Sequence, residues 1–153
     1  MATSAPVRKK QADPIRQFSI FLANQAGRLL ELIRILHSRH VHVVALTILD
    51  TTDSAIVRMV VDDPDTARAI FHEQAVAHTE SPVVAVELEA GTELPKVLSS
   101  LLEAEINILT AYGFLVRPEG RSAICLNLDD NELGAQVLSR GGFRLLGQGD
   151  ISR

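Results

Sequence analysis

Five histidines, a single cysteine and two pairs of adjacent aspartates are the residues of this 153-residue chain whose chemistry deserves testing first. His37, His40 and His42 gather where a first helix should end, with His72 and His78 further on, and His37 and His40 are spaced to share one metal ion. No acidic residue stands at a recognised ligand spacing and there is no His-Glu-x-x-His motif, so imidazoles beside a helix C-terminus account for them better than zinc does. Cys125 lies between Ile124 and Leu126 in a run that reads as a strand, which suits a buried thiol and not a nucleophile. Asp62-Asp63 and Asp129-Asp130 have the composition of acid/base pairs or magnesium ligands. Each precedes a helix, however, and Pro64 follows the first pair, which is the pattern of helix capping. Gly141-Gly142 ends a helix instead of opening one, so no phosphate-binding loop is present. No catalytic residue, metal or cofactor is expected.

Composition narrows the partners. Hydrophobic residues make up 46% and charged residues 22%, a globular balance. A net charge of −4 disfavours a phosphate backbone or an anionic membrane as partner. One tyrosine, five phenylalanines and no tryptophan leave little to stack on bases. No apolar run approaches the roughly 18 residues of a membrane span. The lone cysteine fits a reducing compartment, so the expected location is the cytoplasm. Residues 1–14, with two prolines and only Arg8, Lys9 and Lys10 as a basic cluster, read as a flexible tail.

The elements that must position these residues follow from periodicity. Phe18 to Ala23 is a short apolar run ending in turn residues, a strand. Leu29, Leu32, Ile33 and Leu36 then form one helical stripe. Val41 to Leu49 and Ala55 to Val61 are extended runs around a turn at Thr51 to Ser54. A helix carried by Ala67, Ile70 and Phe71 starts after Asp63, and a weakly extended segment closes the unit at Pro82. The order strand, helix, strand, strand, helix, strand is that of the ferredoxin-like fold.

The order then recurs. Val83 to Leu88 is a strand, Leu94, Val97, Leu98 and Leu101 repeat the stripe, Ile106 to Leu115 and Ser122 to Leu128 form a hairpin, and a helix through Leu133, Val137 and Leu138 precedes a last strand at Phe143 to Leu146. Gly27 and Gly91, Val41-His42-Val43 and Ile106-Asn107-Ile108, and the two Asp-Asp pairs stand at nearly constant separation, the mark of a tandem duplication. The expected class is α+β, two ferredoxin-like βαββαβ units with antiparallel sheets and helices on one face, over residues 15–82 and 83–148. Units of this size have marginal cores and open sheet edges, so association into a homodimer or larger assembly is expected.

These residues resemble tandem ACT domains, small ferredoxin-like modules that bind amino acids and regulate amino-acid metabolism. The resemblance rests on Asn24-Gln25-Ala26-Gly27-Arg28-Leu29, on the strand starts at His42 and Asn107, and on Val60-Val61-Asp62-Asp63-Pro64. It implies a regulatory protein without catalysis that binds a free amino acid and acts on a biosynthetic enzyme in trans. The implied ligand residues are Asn24, Gln25, Ala26, Gly27, Arg28, Leu29 and His42 in the first unit, and Glu89, Gly91 and Asn107 in the second. A loop leading into a helix offers unpaired amides to an α-carboxylate, and side-chain and backbone oxygens near Asn24 and the next strand suit the α-ammonium. Ala26 replaces the family's usual proline and His42 its strand-start asparagine. Glu89 replaces the first asparagine of the second copy and would repel a carboxylate, so the first unit is the better site.

The regulatory small subunit of acetolactate synthase, with a branched-chain amino acid as feedback ligand, is the alternative. A second full unit in place of a dissimilar C-terminal domain weighs against it. A protein using the His37, His40, His42 group for a metal is the third reading. Tyr112 and Phe114 are expected against a ligand or in a subunit interface.

Overall fold

The computed structural model describes residues 13–23, 25–89 and 93–152, apart from the side chain of residue 119. Most of the expected N-terminal tail therefore lies outside the described residues. No helix among them is long and apolar enough to cross a membrane.

The first unit runs β1 (Ile15–Ala23), α1 (Arg28–Ser38), β2 (Val43–Asp50), β3 (Ser54–Val61), α2 (Pro64–Glu73) and β4 (His78–Leu88). The second uses β4 again, then α3 (Leu94–Glu103), β5 (Ile108–Gly113), β6 (Ser122–Leu128), α4 (Asn131–Arg140) and β7 (Leu145–Leu146), and a short α5 (Gln148–Ile151) follows. The strand order is β2-β3-β1-β4-β6-β5, with β7 on β4. Each unit thus has its first and third strands central and antiparallel, the ferredoxin-like arrangement expected from sequence.

One strand replaces two at the junction. The sequence reading ends one strand at Pro82 and starts another at Val83, whereas β4 runs through both. Its first part pairs with β1, Ile15 facing Val83, and its second part with β6 on the other side, Val84 facing Leu126. Proline has no N–H to give a ladder, and Pro82 stands where the strand changes partner, which makes the residue tolerable there. Two further expectations shift: the last strand shrinks from Phe143–Leu146 to Leu145–Leu146, and α5 was not anticipated.

Alternation along the strands produces three apolar layers. Phe18, Ile20 and Leu22 of β1 face α1 and α2, meeting Leu32, Leu36, Ile70 and Phe71. Phe18 and Phe71 pack edge to face with centroids 5.2 Å apart, which adds about 1 kcal/mol beyond the area buried. Val84, Val86, Leu126 and Leu128 play the same part under α3 and α4. The faces without helices turn toward each other, and Ile15, Val44, Val60, Ala85, Tyr112 and Cys125 fill the space between the units. Tyr112 is therefore interior to one chain: its hydroxyl donates to Oε1 of the buried Gln17 at 2.6 Å. That corrects the expectation of a ligand or subunit contact, because side-by-side reading of two units does not show which sheet faces meet. The free sides of β2 and β5 also touch at one place, where Ala45 bridges Phe114 and the Leu115 amide donates to the Val44 carbonyl at 2.7 Å.

The helices end alike. His40, Ala75, Glu105 and Gly142 take positive φ after α1, α2, α3 and α4, and the next residue, Val41, Val76, Ile106 or Phe143, returns its amide to the last turn. This is a Schellman ending with its apolar residue tucked beneath the helix.

Candidate functional site

The loop from β1 to α1 turns at Gly27, which takes φ 86° at the N-cap position. A residue with Cβ is disfavoured in that conformation, and glycine brings no side chain with which to cap the helix. The Gln25 amide is used by the Ala23 carbonyl at 2.7 Å and the Arg28 amide by Gln25 at 3.3 Å. The amides that follow begin α1 with no side-chain cap, at the positive end of its dipole. α2 and α4 are built the other way. Asp63 accepts the Thr66 amide at 3.1 Å and Asp130 the Leu133 amide at 2.9 Å. An anion is already supplied at those two helices and not at α1.

In the second unit the corresponding place carries its own carboxylate. Glu93 is the N-cap residue of α3, but its side chain turns back, and Oε2 accepts the Glu89 amide at 2.9 Å. Below it, buried Glu87 lies between Arg121 at 2.9 Å and Arg144 at 3.1 Å. These groups, with Glu89 and Phe143, line a small cavity of about 140 Å³. Asn24 and Gly91, named from sequence, lie outside the described residues.

His42 and Asn107 are not beside these loops. Ala23 pairs with Ser54 at one end of β3, while Val43 pairs with Val61 at the other. The seven residue steps from Ser54 to Val61 put His42 roughly 23 Å from the loop within its own unit. The second unit repeats the separation, with Leu88 against Ser122 and Ile108 against Leu128. Loop and strand start therefore lie at opposite ends of one unit. The β1–α1–β2 crossover must travel the length of α1 before β2 begins, so the ends of the path are far apart.

What the strand starts touch is the first aspartate of each pair. His42 donates its amide to Asp62 Oδ1 at 2.8 Å and its Nδ1 lies 2.9 Å from Oδ2. Asn107 donates its amide to Asp129 Oδ1 at 3.2 Å and its Nδ2 to Oδ2 at 3.1 Å. The carboxylate only accepts, so Nδ1 of His42 carries the hydrogen. The capping expectation therefore divides: Asp63 and Asp130 cap helices, whereas Asp62 and Asp129 bind strand starts. The doubled letters concealed the division, although the similar spacing of the pairs from His42 and Asn107, 20 and 22 positions, is the signal for it.

A cavity of about 390 Å³ lies at this end of the first unit, between His40, Asp62, Asp63, Asp65 and Gln148 of α5. α5 is held there by Gln148, whose Nε2 donates to the Val61 carbonyl at 3.1 Å and whose amide donates to Asp13 at 2.9 Å. Among the described residues no group of three or more His, Cys, Asp and Glu is arranged to hold a metal ion. His37 and His42 meet edge to face at 5.6 Å. Cys125 is fully buried, and burial pushes its thiol up to about 11, against a smaller opposing effect of the Tyr112 hydroxyl. A thiol so placed is protonated and inert at neutral pH.

The comparisons agree with this architecture. The sequence profile of the family described as ACT domain pair matches residues 14–146. The crystal structure of protein BT0572 from Bacteroides thetaiotaomicron is 27% identical, with a TM-score of 0.83 over 93% of this chain and 98% of that one. The ligand-free regulatory subunit of aspartate kinase from Thermus thermophilus shares the fold at 14% identity, TM-score 0.57, over 85% of this chain and 93% of that one. The regulatory subunit of aspartate kinase from Thermus flavus does so at 15%, TM-score 0.53, over 86% and 94%. Among curated proteins none matches.

Proposed function

Because the chain belongs to the ACT domain pair family, we propose that it is a non-catalytic regulatory protein that binds a free amino acid and modulates amino-acid metabolism in trans. The observation that carries the reading is the difference between helix starts: α1 opens uncapped behind Gly27, while α2 and α4 carry aspartate caps. The α-carboxylate takes the amides of Gly27 and Leu29, with Asn24, Gln25, Ala26 and Arg28 around it. The helix dipole and the unpaired N–H groups favour an anion there.

The α-ammonium needs an acceptor. Asp62 fixes the His42 ring so that Nε2 serves as one, but His42 belongs to the other end of the unit. A ligand reaches both only if a second copy, turned end for end, brings its His42 beside the first copy's loop. Binding then ties two copies together, and occupancy shifts their arrangement by its differential affinity for two states. That shift is what a biosynthetic enzyme would sense. In the second unit Glu89 and Glu93 repel a carboxylate, so Gly91 and Asn107 make the weaker site.

A thermal-shift screen across the free amino acids tests the reading, since a ligand of the native state raises the melting temperature by mass action. One amino acid should stabilise the protein, Asn24→Ala should abolish the effect and Asp129→Ala should leave it. Unchanged affinity in Asn24→Ala would refute the placement.

A further inference from the structure

We propose that the uncovered half of the first unit's helix-free sheet face, with Arg58 at its centre, binds a small carboxylate that carries an apolar chain. Register places the residues. Arg58 on β3 stands directly between Ser19 on β1 and Thr47 on β2, and the next row along is Phe21, Ile56 and Leu49 in the same strand order. Residues two apart in a strand share a face, so the six lie side by side on the face opposite α1 and α2. In the other direction the following row, Gln17, Val60 and Ala45, is buried between the units. The cover ends there, since Phe21 is 44% and Leu49 50% exposed.

Arg58 is the member of this face that calls for a ligand. It is half-buried, yet among the described residues no hydrogen bond or ion pair holds its guanidinium, and none holds the hydroxyls of Ser19 and Thr47. Arg68, the other half-buried arginine, is held by Asp65 and Glu80. Alternation puts no other charged residue on this face of β1, β2, β3 or the part of β4 that pairs with β1. A guanidinium partly removed from water is stabilised by an anion, which it grips with two parallel N–H donors. The flanking hydroxyls, about 5 Å away across the ladder, add donors for the same carboxylate. The apolar row beside them spans two strand spacings, roughly 10 Å, enough to carry an octyl chain. No acid stands on this face to receive an ammonium, which separates this ligand from the amino acid of the Gly27 loop.

The second unit shows the covered version of the same row. Cys125 stands four residues before Asp129 as Arg58 stands four before Asp62, and its neighbours across the ladder are Ala85 and Tyr112. All three are buried. The cation thus belongs to the copy whose row is left open. Burial raises the Tyr112 hydroxyl and the Arg58 charge opposes it, so the guanidinium borders the covered layer.

A heteronuclear NMR titration of the full chain with octanoate tests the proposal, with acetate, octanol and octylamine as comparators. Octanoate should shift the amides of Ser19, Thr47 and Arg58 saturably. Acetate lacks the chain, octanol the charge and octylamine its sign, so each should bind at least about tenfold more weakly. Arg58→Met keeps the apolar stem and should lower octanoate affinity about tenfold or more, and Phe21→Ser should lower it about threefold or more. Arg34→Met, at an exposed position of α1, should leave it unchanged. Absence of a saturable shift in the wild type, or an affinity indifferent to Arg58→Met, would overturn the proposal. So would the same amides shifting with protein concentration alone, which would give the face to another chain.

Discussion

His42 and Asp62 hold each other by both backbone and side chain: the His42 amide donates to Asp62 Oδ1 at 2.8 Å, and the Asp62 amide donates back to the His42 carbonyl at 3.1 Å. Asn107 and Asp129 repeat the exchange, the return bond being 3.0 Å. The clasp joins the start of the second strand to the end of the third in both units, and the imidazole Nδ1 stands where the Asn107 amide nitrogen stands.

His42→Asn should therefore be mild, since asparagine makes the same bonds in the second unit, and a loss under about 1 kcal/mol in urea unfolding is expected. Asp62→Ala should be severe. Asp62 is 6% exposed, and its removal leaves the His42 amide without its acceptor, at about 2–3 kcal/mol. Asp129 is exposed, so Asp129→Ala should cost about 1 kcal/mol. Equal losses at 62 and 129 would contradict this ranking.

Acid should weaken the first unit through Glu80. Its carboxylate is bonded by Arg68 at 2.6 and 2.8 Å and by Arg16 at 3.1 Å. The Arg68 hydrogen bonds hold it below the ordinary glutamate value, partial burial opposing them. A carboxyl depressed in the folded state contributes stability that is present above its unfolded value of about 4.5 and is lost as pH falls through the folded value. Glu80→Gln should lose about 1–2 kcal/mol at neutral pH, where the pair is intact. As pH falls below about 4.5 and through the lower folded value its stability should converge on that of the wild type, and parallel acid profiles would rule the pair out as the cause.

Much of the fold was legible because its signals are local. The stripe Leu29, Leu32, Ile33, Leu36, the Asp63-Pro64 start and the glycines after α4 depend on near neighbours in the chain. What the letters hid is long-range: that β4 serves both units, that Tyr112 points between two sheets, and that His42 lies a helix length from Gly27. The distance between loop and strand start needed the direction of β2 relative to β1, and periodicity reports a strand without its direction in the sheet.

Ala75→Gly should stabilise the protein. Ala75 has φ 52° at the end of α2, and its amide donates to the His72 carbonyl at 3.2 Å. A Cβ in the left-handed region costs roughly 1 kcal/mol, part of which returns as entropy of the unfolded glycine. A net gain of about 0.5 kcal/mol is expected by denaturant unfolding, the usual sign of alanine and glycine being reversed because the position lies beyond the helix. A loss of stability would mean that the alanine methyl supports packing enough to outweigh the strain.

Glu93→Ala should open the second unit to ligand. In the wild type the Glu89 amide, one of the donors that an incoming α-carboxylate would seek, is taken by Glu93 Oε2 at 2.9 Å. An internal carboxylate of that kind competes at an effective concentration no free amino acid matches, so calorimetric titration of the wild type should find one ligand per chain. Removing the side chain frees the donor and subtracts one repelling charge, while Glu89 remains and Glu87 stays neutralised between Arg121 and Arg144. The variant should then show a second, weaker binding step and keep the first unchanged. Two steps already present in the wild type would show that Glu93 yields to ligand, and the two loops would differ in affinity for a reason other than self-occupation.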